Sequence, residues 1–243
     1  MNYKLNISYD GTAYHGWQKQ NNALTVCEVL EKATEKIFKH SVDITGCSRT
    51  DAGVHALDYV CNFKSDGYIP VDRLPIAINT KLPADIRVKS AEVADEDFNS
   101  RFSAHSKTYI YKTCCSNILN PFLRNYAYHF PYRVNEEKMK KAAGHFVGTY
   151  DFAGFMTQGS SQKTTVRTVN FLNVTSYGDV FEFEINANAY LYNMVRIISG
   201  TLLYVGIGKI EPDSIPDVIK SGDRRRAGIT AEPQGLYLKE ILY

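Results

Sequence analysis

The chain lacks the features that would place it in a bilayer, in a disulfide framework or on a strongly charged surface. No apolar run approaches the roughly 20 residues that span a membrane. Its five cysteines, Cys27, Cys47, Cys61, Cys114 and Cys115, are an odd number with no C-x-x-C pair, which argues against a secreted disulfide scaffold. No histidine stands at ligand spacing from two of them, so a zinc site is not expected either. Small buried thiols in a reducing compartment are the expected reading. Charge of one sign is missing too: 28 Lys and Arg face 26 Asp and Glu, for a net +2. Any nucleic-acid surface must then be local. The opening residues, MNYKLNISYDG, alternate apolar and polar, unlike a signal or transit peptide. A cytoplasmic protein is expected.

What is present fits a globular protein. With 243 residues, 44% hydrophobic and 22% charged, one large or two small domains can each bury a core. Tryptophan occurs once, but there are 17 Tyr and 12 Phe. Tyrosines can line a stacking surface for bases, yet they are also good strand residues, so the count alone cannot choose.

Periodicity supplies the elements. Tyr3, Leu5, Ile7 and Tyr9 alternate as a half-buried strand closed by Asp10-Gly11. Thr25 and Glu28 form a T-x-x-E capping box ahead of Val26, Val29, Leu30, Ala33 and Ile37 at helical spacing, with Lys36 and Lys39 in the last turn. VDITGCS reads as a second strand, and Leu57, Tyr59, Cys61 and Phe63 as a third. A short helix is expected within Val71 to Asn79, interrupted near Pro75, then a strand at DIRVKSAEVA. In the second half KTYIYKTCC is a strand, and Asn135 caps a helix bearing Met139, Ala142, Ala143 and Phe146, stopped by Gly148. A hairpin turns at Tyr177-Gly178-Asp179, a helix runs from about Ala189 to Val205, and GLYLKEILY closes as a strand. This pattern predicts an α+β protein with a largely antiparallel sheet. A loose boundary falls near Ala104, giving halves 1–104 and 105–243; no low-complexity linker marks it.

The segment GCSRTDAGVHALDYV, Gly46 to Val60, carries the most concentrated chemistry. Asp51 before Ala52-Gly53 could be a turn residue. Arg49, two residues away, is near enough to keep the carboxylate ionised, and the small Ala52 and Gly53 let a large ligand approach. A metal site of Asp51 and His55 lacks a second carboxylate, and Arg49 would repel a cation. His55, opening a strand, reads as a structural hydrogen-bonding histidine. Arg196, on an otherwise apolar helix, is discordant, because a partly buried charge needs a partner.

SRTDAGVHA resembles the G-R-T-D-A-G-V-H-A signature of the TruA family of pseudouridine synthases. The segments YDGTAYHGWQKQ, TVCEVLE, INTKLPADIRV, DFNSRFSAHSKTYIY, DFAGF, TVRTV, NANAYLYNMVRIISGTL and GLYL resemble that family in family order, over nearly the whole chain. The resemblance implies two RRM-like (ferredoxin-like) halves joined through the sheet. It implies isomerisation of uridine to pseudouridine in the tRNA anticodon arm, at positions 38 to 40, by a homodimer. No cofactor or metal is needed, since the leaving base is also the incoming one. It makes Asp51 the essential carboxylate and Arg49 the residue that occupies the space of the flipped base while pairing with Asp51. Tyr109 would lie against the target base, Arg196 would pair with Asp51, and Leu236 would wall the uracil pocket. Tyr111, on the same face as Tyr109, reads as packing.

Phosphate contacts are expected among Lys19, Lys107, Lys112, Arg124, Lys163, Arg167 and the run Arg224-Arg225-Arg226, although a charge run is usually solvated surface. The chain departs from the family at Cys47-Ser48, where Ala-Gly or Gly-Gly usually precedes R-T-D. It also has Cys27 in place of Gln, and Gln234 in place of the Glu before G-L-Y-L. These leave open a paralogue with shifted targets. A non-catalytic RNA-binding protein on the same fold and a metal-dependent phosphohydrolase are the readings from other classes.

Overall fold

A computed structural model describes residues 1–157 and 164–243. Its strands and helices, in chain order, begin with β1 (Asn2–Tyr9), α1 (Val26–Phe38), β2 (Thr45–Gly46), β3 (His55–Lys64), α2 (Leu74–Asn79), β4 (Ile86–Ala94) and β5 (Ser106–Cys114). There follow β6 (Tyr128–His129), α3 (Glu136–Gly144), β7 (Gly148–Asp151), β8 (Val166–Tyr177), β9 (Val180–Ala187), α4 (Met194–Gly206), α5 (Ile215–Ser221) and β10 (Leu236–Leu242). The protein is a mixed α/β structure with mostly antiparallel strand pairs; β3 with β10 and β5 with β6 run parallel. It divides into two compact units, Met1–His105 with Tyr237–Tyr243, and Ser106–Leu236.

In the first unit the strands lie in the order β4-β1-β3-β10, with β2 beside β3. The period-2 pattern of β1 holds: Tyr3, Leu5, Ile7 and Tyr9 are all buried, against Tyr59, Cys61 and Phe63 of β3. Helix α1 starts where its cap places it. The Thr25 hydroxyl accepts the Glu28 N–H at 3.4 Å, and Leu30 and Ala33 enter the core. Two expectations change. VDITGCS is a strand only at Thr45–Gly46, because beyond that pair other bonds hold the backbone: the Ile44 N–H meets buried Glu31 Oε1 at 3.1 Å. Pro75 opens α2 rather than interrupting it, as the missing N–H falls in the first turn, where no helical partner exists.

The second unit orders β5-β9-β8-β7, with β6 beside β5. The β8–β9 hairpin turns at Gly178-Asp179 with Tyr177 facing Val180. Asn135 caps α3, its Oδ1 accepting the Lys138 N–H at 3.0 Å; the helix ends at Gly144, ahead of the expected stop. Helix α4 begins at Met194, later than the sequence pattern suggests. Asn193 has φ 62°, a left-handed conformation that cannot belong to the helix. The core gathers Met139, Ala142, Phe146, Phe152, Phe155, Phe183, Ile197 and Leu202.

Candidate active site

Asp51 is half-buried in the loop between β2 and β3. Its neighbours are fixed by the first unit. Thr50 is buried, its hydroxyl 2.9 Å from that of Tyr9, and its carbonyl accepts the Trp17 N–H at 3.3 Å. Gly16 (φ 80°) makes that approach possible, since a Cβ there would overlap the Thr50 carbonyl. Beyond Asp51, the Gly53 N–H donates to Tyr14 O at 3.1 Å. His55 is buried at the start of β3. Its Nδ1 lies 3.0 Å from the Gly11 N–H and 3.2 Å from Asp10 Oδ1, and its ring stacks on Tyr237 at 4.7 Å. The loop is thus a tethered platform rather than a free turn.

Arg49 is exposed, and among the described residues its guanidinium makes no ion pair, so the expected pairing with Asp51 is not what holds the loop.

In the second unit Tyr109 lies on β5, buried, with its ring edge-on to Tyr190 at 4.9 Å. The Tyr190 hydroxyl is 2.9 Å from both Lys107 O and Ile185 O, and burial pushes its pKa well above the ordinary value, so it stays a neutral prop. Tyr111 is fully buried and donates to Glu232 O at 2.7 Å. Arg196 is half-buried on α4. Its Nε donates to Ala231 O and its Nη1 to Asn193 Oδ1, both at 2.7 Å, which aims a cation from an apolar helix. Leu236 is buried at the start of β10. Tyr190 and Asn193 are the supports that sequence reasoning missed. The signal for Asn193 was slight, an Asn inside the expected helical run, and for Tyr190 there was none.

The basic candidates sort by environment. Lys19 pairs with buried Glu31 at 2.7 Å, and Lys112 with Glu182 at 2.9 Å. Arg167 is buried, donating to Thr164 O and Val166 O, so it is a strand anchor rather than a surface contact. Arg224 is likewise spent on Gly228 O and Thr230 Oγ1. Arg124, Arg225 and Arg226 are exposed, and Lys107 is half-buried. Lys163 lies outside the described residues. Among the described residues no group of three His, Cys, Asp or Glu side chains could hold a metal ion, and no helix is long and apolar enough to cross a membrane.

A mixed α/β chain that presents an aspartate on an R-T-D-A-G-V-H-A loop has the marks of a base-modifying RNA enzyme. The family model described as tRNA pseudouridine synthase matches residues 6–103 and 142–243, and the chain belongs to this family. It is 50% identical over 242 residues to tRNA pseudouridine synthase A of Thermoanaerobacter sp. (strain X514), covering 100% of this chain and 99% of that one. Identity to tRNA pseudouridine synthase A of Acetivibrio thermocellus is 48% over 242 residues, with the same coverage. To tRNA pseudouridine synthase A 2 of Clostridium perfringens it is 45% over 247 residues, covering 100% of this chain and 99% of the relative.

Proposed function

We propose that the chain converts uridine to pseudouridine in the anticodon arm of tRNA, at positions 38 to 40, with Asp51 as the essential carboxylate. The observation that carries the reading is the half-buried Asp51 on its tethered R-T-D-A-G-V-H-A loop, in a chain that belongs to the tRNA pseudouridine synthases. The N1–C1′ bond of the target uridine breaks, the uracil turns over, and C5 bonds to C1′. The C5 proton then leaves, N1 gains one, and the atoms balance without a co-reactant. Near C1′ an ionised carboxylate can add to that carbon, stabilise charge on the ribose, or take a ribose proton.

A stacked base is out of reach and must first be flipped out, at a cost of a few kcal/mol. Exposed Arg49 is assigned to the space the base vacates. Tyr109 is assigned to the face of the uracil, Leu236 to an apolar wall of its pocket, and Arg196 to the charge of the carboxylate. Each unit sets a four-strand order beside two or more helices, which supports RRM-like (ferredoxin-like) halves. The working form is taken to be a cytoplasmic homodimer, for which light scattering on the purified protein is the check.

The test is incubation with unmodified tRNA transcripts, without added metal, followed by mapping of pseudouridine by carbodiimide adducts or mass spectrometry. Product at 38 to 40 from the wild type, and tRNA binding without product from Asp51→Asn, are expected. Product from Asp51→Asn refutes the assigned carboxylate, and product confined to other uridines refutes the assigned target.

A further inference from the structure

The Asp51 loop contains a stretch that the sheet does not hold. The β2–β3 ladder ends at the pair Gly46 and Cys61, after which the Cys47 N–H still reaches Val60 O at 2.9 Å. At Ser48 a side chain from the neighbouring strand takes over. The Tyr59 hydroxyl donates to the Ser48 carbonyl and accepts the Ser48 N–H at 3.4 Å, so one phenol bonds both backbone groups of a residue three positions before Asp51. That phenol has no freedom of its own. Tyr59 is fully buried on β3, and its ring stacks on the Trp17 indole at 4.3 Å. Gly46 closes the arrangement, since a Cβ there would overlap both the Tyr59 hydroxyl and the Trp17 indole. The Trp17 backbone N–H returns to the same loop, donating to Thr50 O.

We propose that Tyr59 is a positioning residue for Asp51: its hydroxyl, set by the Trp17 indole, fixes the backbone of Ser48 and with it the loop that presents the carboxylate. The proposal rests on Asp51 carrying the reaction. A loop carboxylate misplaced by a fraction of an ångström loses rate without losing substrate affinity, because orientation at the reacting carbon matters more than encounter. Burial also keeps the phenol protonated, so the donor persists across any working pH.

The comparison that isolates positioning is Tyr59→Phe against Tyr3→Phe. Tyr3 is also fully buried in the first unit, stacks on Phe63, and its hydroxyl bonds backbone at Gly67 O and Ile69 N, both at 3.1 Å. Both variants are expected to lower the melting temperature to a similar extent. Only Tyr59→Phe should lower the single-turnover rate of pseudouridine formation, at least tenfold, with tRNA Kd within twofold of wild type and faster amide exchange over residues 47–51. A Tyr59→Phe protein with wild-type rate and wild-type exchange overturns the proposal, as does a tenfold loss shared by Tyr3→Phe. If Tyr59→Phe does not fold, Trp17→Phe, which loosens the same ring but keeps the hydroxyl, should show the rate loss; a wild-type rate there overturns the proposal equally. Asp51→Asn run alongside separates the two readings. An active Asp51→Asn refutes the role of Asp51, whereas an inactive one beside a fully active Tyr59→Phe refutes only the role of Tyr59.

Discussion

Arg196 is held at two points, Ala231 O and Asn193 Oδ1, while its own carbonyl accepts the Ala231 N–H at 3.2 Å. A guanidinium can make both side-chain bonds and still present a charged edge, because its donors form a rigid fork; an ammonium is a single point. Arg196→Lys is therefore expected to keep tRNA binding but lose at least tenfold in single-turnover rate, about 1.4 kcal/mol of barrier. Wild-type turnover in that variant would remove Arg196 from the site. The cysteines behave oppositely, as residues with no chemistry to offer. All five are buried and outside any disulfide, and burial pushes the Cys115 thiol up to about 12 and raises those of Cys27 and Cys61 as well. A thiolate-directed reagent such as DTNB should titrate none of them in the native protein at pH 8, and all five after denaturation. The thiol contribution of Cys115 is fully present below its unfolded value of about 9 and is lost as pH rises toward about 12, since only the unfolded chain ionises in that window.

The caps of α1 and α3 are local features with local costs. Thr25→Ala and Asn135→Ala should each destabilise by about 1 kcal/mol. In a chain of this size that lowers the melting temperature by about 2–4 °C, measurable by calorimetry. Such elements are legible in sequence because side-chain spacing and cap chemistry are written in adjacent residues, as β1, α1 and α3 show. VDITGCS was legible only in part. Its alternation is real, but Glu31, thirteen residues from Ile44, supplies the bond that a ladder would have made. Helix α4 starts at Met194 rather than near Ala189 because one backbone angle at Asn193 is left-handed, and residue identity only hints at that. Among the candidate residues, Arg196 stood out because its charge clashes with an apolar helix, and Asp51 because of the R-T-D-A-G-V-H-A motif around it. Tyr59, Tyr190 and Asn193 did not, because their importance lies in which backbone or ring their side chains meet. Arg167 failed in the other direction: a basic residue on a strand looks like surface until its burial is known.

At the scale of the whole molecule, a net charge of +2 cannot supply a general attraction for RNA, so binding must depend on where cations are uncommitted. Arg226 and Arg225 are exposed near the end of the second unit, but they differ in one respect. Arg225 is forked onto Asp223 at 2.8–3.2 Å, and its guanidinium holds that carboxyl down at about 2. The pair is close to neutral in free protein, and Asp223 stays ionised throughout any assay range. If the run meets phosphates, Arg226→Ala removes one cation and should reduce the slope of log Kobs against log salt by about 1. Arg225→Ala removes its cation and also uncovers the Asp223 anion beside the phosphate path. It should therefore weaken tRNA binding at least as much as Arg226→Ala at low salt, although Arg225 begins with its charge compensated. The double variant Arg225→Ala with Asp223→Ala should recover part of that loss, because the repelling carboxylate goes with its partner. Filter binding of one tRNA transcript at several salt concentrations reads all three. An unchanged slope in both single variants would place the backbone contacts away from this run, leaving Arg124 and Lys107 as the next cations to vary.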